Sequence, residues 1–195
     1  MYQYTDKVLH TINRRFLLLF TALKKRFDEL NIAGVVFDTY RKATEAARAG
    51  FLNLARESYR RAAPDRKNPI TEEWLIEYLL LADPVLQYKY EPEAQRKAGR
   101  LAERLSVSRH PKRDIDKAMG ELAFQTGQFA VSITDAATIQ AWKDEGVKMV
   151  RWITAEDEKV CKTCGPRHNK LYEIEKIPPK PHPNCRCELR RVKLV

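Results

Sequence analysis

The stretch DEKVCKTCGPRHNKLYEIEKIPPKPHPNCRC, residues 157–187, holds all four cysteines of a 195-residue chain, as one C-x-x-C pair and one C-x-C pair with HPN directly before the second. Four cysteines allow three disulfide connectivities, but a disulfide framework belongs to short secreted chains. The apolar run Phe16 to Leu23 follows Arg14 and Arg15, yet Lys24, Lys25 and Arg26 stand where a secretory signal would place its small-residue cleavage site. A mature chain made in the cytoplasm, with reduced thiols, is therefore expected. Two close-set cysteine pairs about 20 residues apart then match the layout of a tetrahedral zinc site.

Each half of the stretch has its own chemistry. Cys161 and Cys164 are spaced so that both thiolates can face one ion, and Gly165 is expected to allow the tight turn that aims backbone N–H groups at sulfur. Lys159, Lys162 and Arg167 would favour thiolate charge. The second half adds His182, Cys185 and Cys187, so five candidate ligands stand for four positions. Both thiols of the C-x-C pair are expected to reach the ion only if the chain bends there; otherwise His182 and one of the two complete the set. Lys176 to Pro183 carries four of the ten prolines, which stiffens the return arm and lowers the entropy of the metal-free chain.

A structural zinc is expected, and no enzyme. Zinc deaminases need H-x-E ahead of their cysteines, and nothing before Cys161 supplies that His. A catalytic zinc keeps an open position, whereas five candidate ligands suggest a closed one. His168 or His182 would be available as a base for a cysteine nucleophile, but a zinc-bound thiol is not free to attack. His10 and His110 read as surface residues.

Working back toward the N-terminus, Val8, Ile12, Phe16, Leu19, Leu23, Phe27 and Leu30 recur at steps of three and four. That spacing predicts one long amphipathic helix, broken over Asn31–Gly34. A second series, Phe37, Tyr40, Thr44, Ala47, Phe51, Leu54 and Ser58, alternates the same steps as a seam that packs on another helix. Two antiparallel helices joined near Gly34 are the simplest arrangement. The stretch PDRKNP, residues 64–69, reads as a linker. Thr71 is placed to cap the helix TEEWLIEYLLLA, which has acidic residues in its first turn and Pro84 beyond its end.

Further helices are predicted over Glu93–Leu105 and Asp114–Gln125. Beyond Gly127 a short helix capped by Asp135 is expected, with Gly146 in a left-handed position at its end, and then a strand over Val147–Ile153. The fold class expected is a mainly α N-terminal part, a helical hairpin plus further helices, followed by a small α+β C-terminal domain stabilised by zinc. The divisions are 1–63, 64–125 and 126–195.

The net charge of +10 is unevenly spread, at +7 over residues 1–70, −1 over 71–125 and +4 over 126–195. Such an excess favours polyanionic partners, DNA above all. The longest uncharged runs, such as Leu122 to Thr134, fall well below the roughly 20 residues that span a bilayer, so no membrane partner is expected.

The segment GVKMVRWITAEDEKVCKTC, the spacer with Leu171 and Tyr172, and PPKPHPNCRCEL together resemble the phage minor head protein family, the Mu protein F-like or head morphogenesis group. The shared elements are a strand ending in Trp152, Asp157 four residues before Cys161, the C-x-x-C pair and HPNCRC; they cover roughly residues 95–195, and the last 40 carry the match best. Where the family's spacer often has an Asp-Gly pair, this chain has Asn169 and Lys170. The resemblance implies a low-copy virion component at the portal vertex or inner capsid, active in head assembly or in handling packaged DNA. Its implied partners are the portal protein, other capsid or scaffold proteins and double-stranded DNA, with oligomers on the portal ring. It also implies a metal held at Cys161, Cys164, His182, Cys185 and Cys187. Asp157 would then lie behind the ligands, accepting from His182 or holding the cysteine turn, unless it is only a turn residue.

Two other functions compete with that structural one. A zinc-ribbon nucleic-acid-binding module would grip phosphates through Arg186, Arg190, Arg191 and Lys193. A metal-dependent nuclease of the HNH kind would draw on His168, Asn169 and His182, and lacks the expected Asp-His pair.

Overall fold

The computed structural model describes residues 2–83, 87–155, 157, 159–182 and 185–192. Among these, five α-helices precede a three-stranded sheet: α1 (Tyr2–Leu23), α2 (Ile32–Ala62), α3 (Glu72–Leu80), α4 (Tyr90–Leu105), α5 (Pro111–Asp144), β1 (Met149–Ile153), β2 (Leu171–Glu173) and β3 (Glu188–Arg191). The mainly helical chain with a small C-terminal sheet is the fold class read from the sequence. No described helix is long and apolar enough to cross a membrane.

The hairpin of α1 and α2 forms as the apolar spacing requires. Ile12, Phe16, Phe20 and Leu23 of α1 bury against the seam of α2, where Ala43, Ala47 and Ala55 leave no exposed surface. Small residues let the two backbones approach closely. At Gly50 an added Cβ would fall 2.5 Å from Ile12 Cδ1, which is why glycine stands in mid-helix there. The joint differs from expectation. α1 stops at Leu23, Leu30 is wholly exposed, and Gly34 lies inside the first turn of α2. The cause is Asn31, whose side chain accepts the Gly34 N–H at 3.1 Å and so starts a helix where a break was expected.

Thr71 caps α3 through the Trp74 N–H at 3.2 Å. Pro84, expected to follow this helix, lies outside the described residues. α4 begins three residues before the predicted Glu93, because Tyr90 is itself core, edge-on to Phe51 at 5.0 Å and to Phe129 at 5.2 Å. α2 packs on α1, α4 and α5, and α5 closes the bundle against α1 and α4.

The largest departure is α5, a single helix of 34 residues where two were predicted. Gly127 and Asp135 are interior to it, Asp135 caps nothing, and the expected division between residues 125 and 126 falls inside it. Its low-propensity residues are overridden by one continuous core face: Ile115, Ala118, Leu122, Phe129, Ile133, Ala137 and Ala141. Thr126, Thr134 and Thr138 point their hydroxyls back to the carbonyls of Leu122, Ala130 and Thr134, each at 2.8 Å, so no buried hydroxyl is left unpaired along that face.

Gly146, at φ +78°, ends α5 as predicted. Its N–H reaches Lys143 O at 2.9 Å and the Val147 N–H reaches Trp142 O at 2.9 Å, the double closure that a left-handed glycine permits. That closure uses Val147, so β1 starts at Met149 and not at Val147. The sheet order is β2-β1-β3, antiparallel throughout, with Val150 opposite Tyr172 and Arg191, and Trp152 opposite Leu189. Val150 and Ile174 pack with Trp142 of α5, which seats the sheet on the bundle.

Candidate metal centre

Because β1 is central, the chain leaving it carries the first cysteine pair and the chain entering β3 carries the second, so the register brings both to one end of the sheet. Cys164, Cys185 and Cys187 are buried with Trp152 at 1% exposure, and Cys161 packs at their edge, half-buried. All four are free thiols.

Two sets of donor atoms form, each with every atom within 4.8 Å of the others: Cys161, Cys164 and His182, and Cys164, Cys185 and Cys187. Cys164 belongs to both. Its sulfur is 3.5 Å from that of Cys185. All five residues singled out in the sequence thus converge. The C-x-C pair corrects one expectation: side chains two apart on an extended chain share a face, so no bend is needed, and Cys185 and Cys187 both turn inward while Arg186 turns out.

The knuckle at Cys161 is closed by backbone bonds from the N–H groups of Cys164 and Gly165 to Cys161 O, both at 3.0 Å. The Cys164 N–H also points at Cys161 Sγ at 3.3 Å. Gly165 itself serves the carbonyl and opens a short 3-10 turn, Gly165–Arg167, where an added Cβ would meet nothing. The turn that needs a left-handed residue is Asn169, at φ +61°, whose N–H bonds Trp152 O at 2.8 Å. Asparagine tolerates that conformation better than most other side chains.

Burial pushes the Cys161 thiol up, but hydrogen bonds from the Cys164 N–H, the Cys164 and His182 side chains and the Thr163 N–H outweigh it and bring it down to about 7. Cys164 and Cys185 go the other way: burial raises both. Packed thiols held neutral beside one poised to ionise suit a cation that would turn them all to thiolates. His182 shares its hydrogen bond with Cys161, and its Nε2 is buried without a partner. The donor set is thiolate and imidazole, which suits zinc among the common ions.

Around the cluster, Asp157 accepts from Arg186 at 2.6 Å and from the Lys159 N–H at 3.1 Å, while its carbonyl takes the Val160 N–H. It pins the chain on both sides of the thiols. The salt link with Arg186 holds its carboxyl below the usual range. Arg167 lies over the Trp152 ring at 5.0 Å and donates to Pro179 O at 2.9 Å. His168 Nδ1 faces Thr154 Oγ1 at 2.9 Å. His10 and His110 are exposed.

Of the arginines assigned to phosphate, Arg186 is joined to Asp157, Arg191 reaches Glu145 at 2.5 Å, and Arg190 is exposed with Glu188 at 3.8 Å; Lys193 lies outside the described residues. Arg151, which the sequence did not single out, stands directly opposite Arg190 across β1 and β3. No signal in the sequence marks that pairing, because it depends on register.

Residues 97–190 match the family model described as Phage Mu protein F like protein, which supports the Mu F-like phage head morphogenesis family for this part of the chain. No curated protein and no solved structure matches the chain.

Proposed function

We propose, on the premise of that match, that the protein is a minor head protein of a tailed bacteriophage: a structural component at the portal or inner capsid, acting in head assembly and in handling packaged DNA. The match over residues 97–190 is the observation that carries this reading. Cys161, Cys164, His182, Cys185 and Cys187 offer five donors, from which one zinc ion would take four. Bound there, the ion would supply cross-linking and no catalysis: it would tie the segment after β1 to the segment before β3, in a unit too small to be held by its own apolar core. The helical bundle then presents the docking surface for the portal or a scaffold. Purified protein is expected to hold about one zinc per chain and to co-purify with a portal ring when the two are made together; absence of any such association would sink the structural role.

A second reading, nucleic-acid binding by the metal-held unit, has one specific observation in its favour. Arg151 and Arg190 are like charges set directly opposite on neighbouring strands, an arrangement that destabilises a sheet unless an anion relieves it. Binding to duplex DNA that falls steeply with salt, and weakens on Arg190→Ala, would support this reading, and a salt-insensitive residue of binding would remove it. DNA cleavage on addition of magnesium would favour a nuclease over both.

A further inference from the structure

The arm that carries His182 is anchored from two sides at consecutive residues. Pro179 O takes a hydrogen bond from Arg167 of the cysteine turn at 2.9 Å. Lys180, two residues before His182, meets Asp135 of α5 at 2.6 Å, with side chains 15% and 30% exposed. Burial pushes the Asp135 carboxyl up, and Lys180 opposes that rise, as expected of a pair largely removed from water. Beneath the arm lies a cavity of about 330 Å³, lined among others by Asp135, Trp152, Ile177, Lys180 and His182.

A metal-binding imidazole is normally oriented by a carboxylate or carbonyl on its far nitrogen. His182 has no such support among the described residues: its ring bonds Cys161, itself a candidate ligand, and Nε2 is buried without a partner. What fixes the ring is therefore the path of the backbone, and the nearest fixed point on the bundle side is Lys180. We infer that the Asp135–Lys180 pair positions His182 for the metal, so that the helical bundle sets the affinity of a site to which it contributes no ligand. This rests on the reading of His182 as a metal donor in the proposed function. Asp135 is not one of the five candidate donors; it is a positioning residue acting through the short, stiff stretch from Lys180 to His182, since Pro179 and Pro181 stand on either side of Lys180.

The test is a titration of the metal-free full chain with Co²⁺, read by visible absorption and repeated by competition with Zn²⁺. Asp135→Asn is expected to weaken binding about 10- to 100-fold, the usual cost of losing an outer support. Its Co²⁺ spectrum should resemble that of His182→Ala, and the double variant should bind no more weakly than His182→Ala alone, because the two changes remove one interaction. Wild-type affinity and spectrum in Asp135→Asn would overturn the inference while leaving the metal site intact, as would losses that add in the double variant. Failure of the wild-type chain to bind Co²⁺ or Zn²⁺ would instead overturn the metal reading, and the inference with it. Far-UV circular dichroism checks that the helices persist; if Asp135→Asn unfolds them, Lys180→Gln carries the same expectations and the same refutations.

Discussion

Replacing Gly120 and Gly127 by alanine should stabilise the protein, and by an amount that the geometry of α5 sets. Both glycines lie within the helix, neither has a left-handed φ, and an added Cβ at either would meet nothing within 4 Å. With no clash to offset it, each change gains the ordinary preference of alanine over glycine in a helix interior, about 1 kcal/mol. Seven residues of helix separate them by roughly 10 Å, so the gains should add to about 2 kcal/mol. For a chain of this size that corresponds to a rise in Tm of about 4–8 °C. Thermal and urea unfolding followed by far-UV circular dichroism, on metal-loaded protein, would measure it. The refuting result is specific: if Gly120→Ala stabilises while Gly127→Ala does not, α5 is interrupted at Gly127 and two helices meet there after all.

Gly50→Ala should act in the opposite sense, losing about 1–3 kcal/mol, because its Cβ would strike Ile12 at the α1–α2 contact; chemical denaturation midpoints check this. Cys164→Ser should abolish metal binding more completely than any other single cysteine change, since Cys164 alone belongs to both donor sets; elemental analysis and the emission of Trp152 report it. Glu93 adds a pH dependence. Burial pushes its carboxyl up, yet Arg96, Lys97 and Arg100 bring it below the ordinary value. A depressed carboxylate contributes stability that is present above the unfolded pKa, near 4.5, and is lost as pH falls through the folded one. Urea midpoints of the wild type and Glu93→Gln should therefore differ near neutrality and converge in acid; a constant gap across that range would contradict the assignment.

The helical hairpin was legible because its signal is periodic: Ile12, Phe16 and Leu23 recur on one face, and burial follows that face. α5 was not, because Gly127 and the threonines around it argue locally for a break, and only the neighbouring helices make the opposing case. Propensity lost to packing there. At the candidate metal centre, spacing alone picked out all five donors that the fold assembles. The C-x-C geometry was misjudged although the strand period already contained the answer. The links that seat the unit on the bundle, Lys180 to Asp135, Arg191 to Glu145 and Lys143 to Glu175, span 32 to 46 residues. Pairs so far apart leave no periodic trace, and Asp135 accordingly read as a cap when its role is an anchor.

The reach of α5 has a consequence for how such chains can be recombined. The family segment opens at residue 97, in the middle of α4, and its longest helix buries Leu122, Phe129 and Ile133 against partners that lie upstream of that point. What is shared by descent and what collapses as one cooperative body therefore have different edges. Transplanted alone, the shared part would expose a greasy flank along most of α5, so any relative with an unrelated upstream half must furnish a substitute lining for that flank.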